Sequence, residues 1–193
     1  MEISEESKGI LMLAARNSIE SLFGEKQQPI IDYNFYPQLQ QSGIGAFVTL
    51  TIHNELRGCI GYVTSKWNLY ETVCDAAMQA ASSDPRFPQL TEQELPKINI
   101  EISILSPLSE LDNYNGIQLG VHGLYLEDGD YRGLLLPQVA AENKFDIPNF
   151  LSALCEKAGL SPDEWEVRKL NVKTFTASVF SEVGNRTRTY ERY

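Results

Sequence analysis

Residues 45–63, GAFVTLTIHNELRGCIGYV, decide the fold. They read as two β-rich runs, Ala46 to Ile52 and Glu55 to Tyr62, separated by the polar pair His53 and Asn54, so a hairpin is the simplest account. Just downstream, Asn68 is placed to cap a helix whose third residue, Glu71, reaches back to the cap. Leu69, Val73, Ala76, Ala77, Ala80 and Ala81 then form the buried stripe of that helix, and such small side chains imply close packing onto a sheet. The run INIEISIL (98–105) alternates isoleucines with polar residues, which gives a strand with one dry face. The order strand, strand, helix, strand over residues 44–106 describes a small subdomain that buries one sheet face under its own helix.

Outside this unit the same patterns continue. Residues 8–23 place Ile10, Leu11, Ala14, Ala15, Ile19, Leu22 and Phe23 at helical spacing, and Gly24 is the expected stop. GLYLED and DYRGLLL flank Asp128 and Gly129, a dipeptide that favours a tight hairpin turn. A helix is expected from Pro137 to about Asn143 and another from the Asp146 cap to the glycine stop at Gly159. Ser161, Pro162 and Glu164 open a short helical turn, and KTFTASVF (173–180) reads as one closing strand. No internal repeat and no long linker divides the chain.

Composition sets the limits on function. The 193 residues are 42% hydrophobic and 22% charged, ordinary for a globular protein. Sixteen Lys and Arg against 26 Asp and Glu leave a formal charge of -10, which repels phosphate backbones and anionic lipid, so neither nucleic acid nor membrane is an expected partner. The acidic N-terminus (MEISEESKGI) and the lack of a run approaching ~20 apolar residues point to the cytoplasm. Cys59, Cys74 and Cys155 are odd in number and not closely paired, so no disulfide scaffold or CxxC metal site is expected, and two histidines are too few for a three-histidine centre. Phosphate-loop, HExxH and GxSxG signatures are missing.

The chemistry concentrates in Leu56-Arg57-Gly58-Cys59-Ile60-Gly61. Strand alternation would put Arg57 and Cys59 on one face, where the guanidinium would lower the thiol pKa. A lysine in place of Arg57 is then expected to leave stability nearly unchanged. Gly58 and Gly61 open gaps through which a ligand or another backbone approaches. That combination suits a nucleophilic or ligand-gripping thiolate, with Cys59 and Arg57 as catalytic residues; the alternative is a half-buried cysteine packed as a small hydrophobe. In Asp84-Pro85-Arg86-Phe87 the proline turns the chain sharply, so that Arg86 becomes an anion grip oriented by Asp84, or the pair simply fixes the helix exit. His122, between glycines in GVHG, is a candidate general base, or a histidine bonded to backbone at a strand end. Cys74 and Cys155 fall on apolar helix faces and read as core.

These motifs resemble the AMMECR domain family, whose prokaryotic members are called protein A of the AmmeMemoRadiSam system. The likeness runs through GAFVTL (45–50), LRGCIG (56–61), DPRFPQLTEQEL (84–95), INIEISIL, GVHGLYLE (120–127), GLLLPQVAAE (133–142) and FLSALCEKAGL (150–160), nearly the whole chain. The resemblance implies an α+β protein of two unequal subdomains, each a β-sheet covered by helices, with a cleft between them. The expected division is a smaller inserted subdomain at 44–106 and a larger one from 1–43 plus 107–193. It also implies a pathway shared with a Memo-type protein and a radical-SAM protein, which become possible partners, and it names no cofactor. The expected binding surface centres on Arg57, Gly58, Gly61, Asp84 and Arg86, for a small anionic ligand or a partner; the alternative is a thiol-dependent enzyme or carrier acting through Cys59.

Overall fold

In the computed structural model, which describes residues 3–182, the fold is α+β with two four-stranded sheets, each belonging to its own compact unit. The first unit comprises residues 3–105 together with 178–182, the second residues 106–177.

In the first unit, helix α1 (Glu5–Glu20) starts earlier than its apolar periodicity suggests. The Ser4 side chain caps it by accepting the Ser7 N–H, and the charged first turn, Glu5 and Glu6, is favoured at the positive end of the helix. Strands β1 (Ala46–Ile52) and β2 (Glu55–Tyr62) form the expected hairpin. His53 and Asn54 both take positive φ, 54° and 67°, as a tight two-residue turn demands. Helix α2 (Leu69–Ser82) carries the full Asn68/Glu71 capping box, worth about 1 kcal/mol, and buries Val73, Ala76, Ala77, Ala80 and Ala81. Strand β3 (Ile98–Leu105) pairs antiparallel with β1, and β8 (Ala177–Ser181) completes the order β2-β1-β3-β8.

One face of this sheet packs under the helices. Val48, Leu50, Ile100 and Ile102 are fully buried in a cluster with Leu11, Ile19, Val73 and Ala76. The small residues have a purpose that the structure makes measurable: a Cβ on Gly58 would lie 2.2 Å from the carbonyl oxygen of Ala80, so only glycine lets β2 and α2 approach this closely.

The second sheet runs β4-β7-β5-β6, from β4 (Ser109–Glu110), β5 (Gly123–Asp128), β6 (Tyr131–Leu135) and β7 (Val172–Phe175), with every pairing antiparallel. Gly129 makes the β5/β6 turn at φ 62°. Helices α3 (Pro137–Glu142), α4 (Ile147–Ala158) and α5 (Glu164–Val167) belong to this unit, and Phe150, Leu151, Leu154 and Cys155 of α4 are buried with Leu124, Leu126 and Val172. Asp146 caps α4 at its start, and Gly159 ends it in the left-handed conformation.

Two expectations are corrected. The N-terminal helix does not join residues 107–193: Leu11, Ala15 and Ile19 share the core of β1–β3 and α2, because the apolar stripe of α1 needs that surface to bury itself. And KTFTASVF is two strands. The ladder breaks at Thr176, whose N–H donates to the Ser106 hydroxyl and whose carbonyl accepts the Ser106 N–H, so Phe175 serves one sheet and Phe180 the other. Among the described residues no helix is long and apolar enough to cross a membrane.

Candidate functional site

Strand β2 lies at an edge of its sheet, so one row of its backbone donors and acceptors has no neighbouring strand. The loop after α2 supplies the missing partners. Asp84 Oδ2 accepts the Cys59 N–H at 2.8 Å, and Arg86 Nη2 donates to the Cys59 carbonyl at 3.2 Å. Asp84 and Arg86 therefore close on Cys59 as a strand would. They also bind each other twice, Nε to Oδ1 at 2.9 Å and Nη2 to Oδ2 at 2.6 Å, while the Arg86 N–H folds back onto Oδ1 at 3.1 Å. Pro85 keeps the chain from continuing α2, which is how the loop can turn back on the edge.

Asp84 is almost wholly buried, yet it stays ionised. The Arg86 guanidinium, followed by the two backbone N–H donors, overcomes the cost of burial and holds the carboxyl well below the usual carboxylate range. Arg86 itself is 49% exposed at its side chain, stands over the Phe87 ring at 5.5 Å, and uses Nε and Nη2 in the contacts above. Besides Asp84, the nearby Cys59 side chain helps to hold the guanidinium above its ordinary value.

Arg57 is placed otherwise than alternation suggests. The β1/β2 register jumps from Leu50↔Gly58 to Thr51↔Leu56, so Arg57 is the extra residue of a β-bulge and alternation fails between it and Cys59. Its guanidinium turns to Glu94, with Nε to Oε1 at 2.8 Å and Nη2 to Oε2 at 3.1 Å, and to the carbonyls of Pro88 at 2.9 Å and Gln89 at 3.3 Å. Only 13% of the side chain is exposed. The fork pulls the Glu94 carboxyl from 4.5 down to about 2, burial opposing, and Thr91 N–H and hydroxyl donate to the same carboxylate. The expected neighbour of the thiol is thus the clamp on the 88–94 loop.

The Cys59 thiol is half-buried and lies on the sheet face turned away from α1 and α2, opposite to Gly58. Thr49, its cross-strand partner on β1, directs its hydroxyl to Sγ at 3.3 Å. Phe47 shares this face, and its ring sits 2.5 Å from where a Cβ on Gly61 would be, so Gly61 is required beneath it. The register brings Cys59, Thr49 and Glu101 into one row across three strands. Of the residues singled out from sequence, Arg57, Gly58, Cys59, Gly61, Asp84 and Arg86 all gather on or beside β2.

His122 belongs to the second unit. There its Nδ1 accepts the Gln118 backbone N–H at 3.2 Å and the His122 backbone N–H donates to the Gln118 carbonyl at 2.8 Å, a turn-fixing pair that matches the backbone-bonded reading. Cys155 is fully buried, as expected, whereas Cys74 is only half-buried and lines a groove. Burial pushes both thiols up. No group of three or more potential metal ligands occurs among the described residues.

Sequence reasoning missed Glu94 and Thr49. Thr91-x-x-Glu94 is a capping-box pattern that marked Glu94 as structurally engaged, whereas a regular two-residue hairpin sets Thr49 opposite Gly58 and only the bulge at Arg57 brings it opposite Cys59.

A family model described as AMMECR1 matches residues 12–180. Protein MJ0810 of Methanocaldococcus jannaschii is 40% identical, with 92% of this chain and 91% of the relative aligned. A protein of Caldivirga maquilingensis is 38% identical over 97% of this chain and 90% of its own length. The crystal structure of Uncharacterized Protein PH0010 from Pyrococcus horikoshii matches with a TM-score of 0.85 at 37% identity, covering 95% of each chain.

Proposed function

This chain belongs to the AMMECR1 family, and from that premise we propose that it is a binding module which takes a small anionic group at the edge of β2, beside Cys59. One observation carries the reading: of the two arginines at the motif, both ion-paired, Arg57 is shielded against Glu94 and the 88–94 loop, while Arg86, paired with Asp84, keeps a half-exposed guanidinium beside the Cys59 side chain. Asp84 fixes the plane of that guanidinium, and a pre-oriented fork loses less entropy on gripping a carboxylate or phosphate. The Phe47, Thr49 and Cys59 side chains then offer the rest of the ligand an apolar ring, a hydroxyl and a thiol. In the pathway that the family resemblance implies, the ligand would be an intermediate or a surface group handled by the Memo-type or radical-SAM protein.

A second reading, Cys59 as nucleophile or attachment point, is favoured by two contacts: the Thr49 hydroxyl is directed to Sγ at 3.3 Å, and the Cys59 side chain is among the groups that raise the Arg86 guanidinium. It loses Arg57, the cation on which the sequence motif rested, since that guanidinium is bonded to Glu94.

Titration of the 15N-labelled protein with inorganic phosphate and with malonate, at constant ionic strength, tests the binding reading. Saturable shifts of the Cys59 and Arg86 amides below about 10 mM, lost in Arg86→Gln and kept in Arg57→Lys, support it. Shifts that are absent, or that survive Arg86→Gln unchanged, contradict it.

A further inference from the structure

The first unit carries a groove that shares no residue with the Cys59 site. Trp67, Tyr70, Glu71, Cys74, Asp75 and Met78 line a groove of about 420 Å³ along α2, a size suited to a small ligand. Glu71, Asp75 and Met78 stand at i, i+4 and i+7, on one face of the helix.

Its aromatic walls are held in place from behind. Tyr62 packs edge-on against Trp67, ring centroids 5.7 Å apart at 82°, and Tyr70 donates its hydroxyl to the Pro29 carbonyl at 3.3 Å. The carboxylate is held as well. The Tyr62 hydroxyl donates to Asp75 Oδ2, and burial together with that carboxylate pushes Tyr62 up to about 12, so the tyrosine keeps its proton. Oδ1 accepts no hydrogen bond from any described residue. The indole already attracts a cation from its own chain, since Lys66 Nζ stands over the Trp67 ring at 5.4 Å. Lys66 itself lines the neighbouring cavity, which shares Trp67 and Glu71 with this groove, and no lysine or arginine is among the groove's own lining residues.

We propose that the groove binds an organic cation, an alkylated ammonium or guanidinium group, seated against Trp67 and Tyr70 with its charge matched by Asp75 and Glu71. A neutral apolar ligand would cover the half-buried Asp75 without compensating it, which is costly. A simple hydrated ion would gain little from two aromatic rings, Met78 and the Cys74 methylene. An alkylated cation satisfies both walls at once, and the formal charge of -10 draws it in.

The test uses Trp67 fluorescence in the Trp165→Phe protein, where Trp67 is the sole remaining indole of two. Choline should give a saturable change that sodium chloride does not, its neutral tert-butyl isostere should bind at least about tenfold more weakly, and Asp75→Asn should weaken choline by about tenfold. The isostere comparison needs no substitution in the groove, so it decides the matter even where Asp75→Asn disturbs Tyr62. A trimethyl-lysine peptide separates the sources: tighter binding than choline assigns the site to a protein side chain, weaker binding to a free metabolite, and either result supports the cation site. Equal responses to choline and its isostere, or no saturable response to either, overturn the proposal.

Discussion

Asp84 accepts the backbone N–H of Cys59 at 2.8 Å, and the arginine that neutralises it returns a hydrogen bond to the carbonyl of the same residue. A side-chain pair thus takes the place of a neighbouring strand at the edge of β2. The arrangement blocks edge-to-edge association at the one point where β2 is grasped, and it presents Arg86 to solvent in a fixed plane.

Acid sensitivity follows from this pair and from Arg57–Glu94. Both carboxyls are depressed in the folded protein, Glu94 from 4.5 to about 2 by Arg57 and Asp84 further by Arg86, so in that window the unfolded chain binds more protons than the folded one. Their contribution is complete above the unfolded values and is lost as pH falls toward the folded ones. Thermal melts should hold steady from about pH 7 to about pH 5 and fall steeply below about pH 4, with a shallower fall in Glu94→Gln. Equal slopes in the two proteins would show that the Arg57–Glu94 pair does not set the acid limit.

Arg57 substitutions should register as stability. Arg57→Ala removes the bidentate pair and the donors to Pro88 and Gln89, a loss of about 2 to 4 kcal/mol by denaturant titration. Arg57→Lys keeps the charge but cannot reproduce the planar fork, and should lose about 1 to 2 kcal/mol. This replaces the expectation, drawn from strand alternation, that lysine would be nearly neutral. A lysine variant as stable as wild type would mean that the loop clamp contributes little.

Two glycines should respond in opposite directions. Gly58→Ala forces a Cβ to 2.2 Å from the Ala80 carbonyl, and because that atom is backbone, β2 and α2 must separate, at about 1 to 3 kcal/mol. Gly9 lies within α1 with nothing within 4 Å of an added Cβ, so Gly9→Ala should gain about 0.5 to 1 kcal/mol. Urea midpoints for the two variants check both signs, and a neutral Gly58→Ala would contradict the close packing of strand on helix.

Local signals explain why so much of the fold could be read from the sequence. The Asn68/Glu71 box, the alternating isoleucines of β3, the Asp146 cap and the Gly159 stop each act within a few residues of their own position, and each formed as expected. The misreadings lie where distant residues decide. A pattern with period two continues unbroken through Thr176, and only Ser106, far away in sequence, divides it between two sheets. The same holds for the site. Its members were visible as a motif, but the bulge that turns Arg57 away from Cys59 depends on the register with β1, and its partner Glu94 lies 37 residues along the chain.

The rate of Cys59 alkylation against pH tests the central claim most directly: that Arg57 frames the motif while Arg86 is the charge it presents. Peptide mapping after competitive labelling gives all three cysteines at once. Cys59 should label fastest, because Cys155 is fully buried and burial raises Cys74, and its rate–pH curve should superimpose in wild type, Arg57→Lys and Arg57→Ala at temperatures where melts show all three folded. Slower labelling at neutral pH in Arg57→Ala, with the lysine variant unchanged, would make Arg57 the activator of a catalytic thiol and contradict this account.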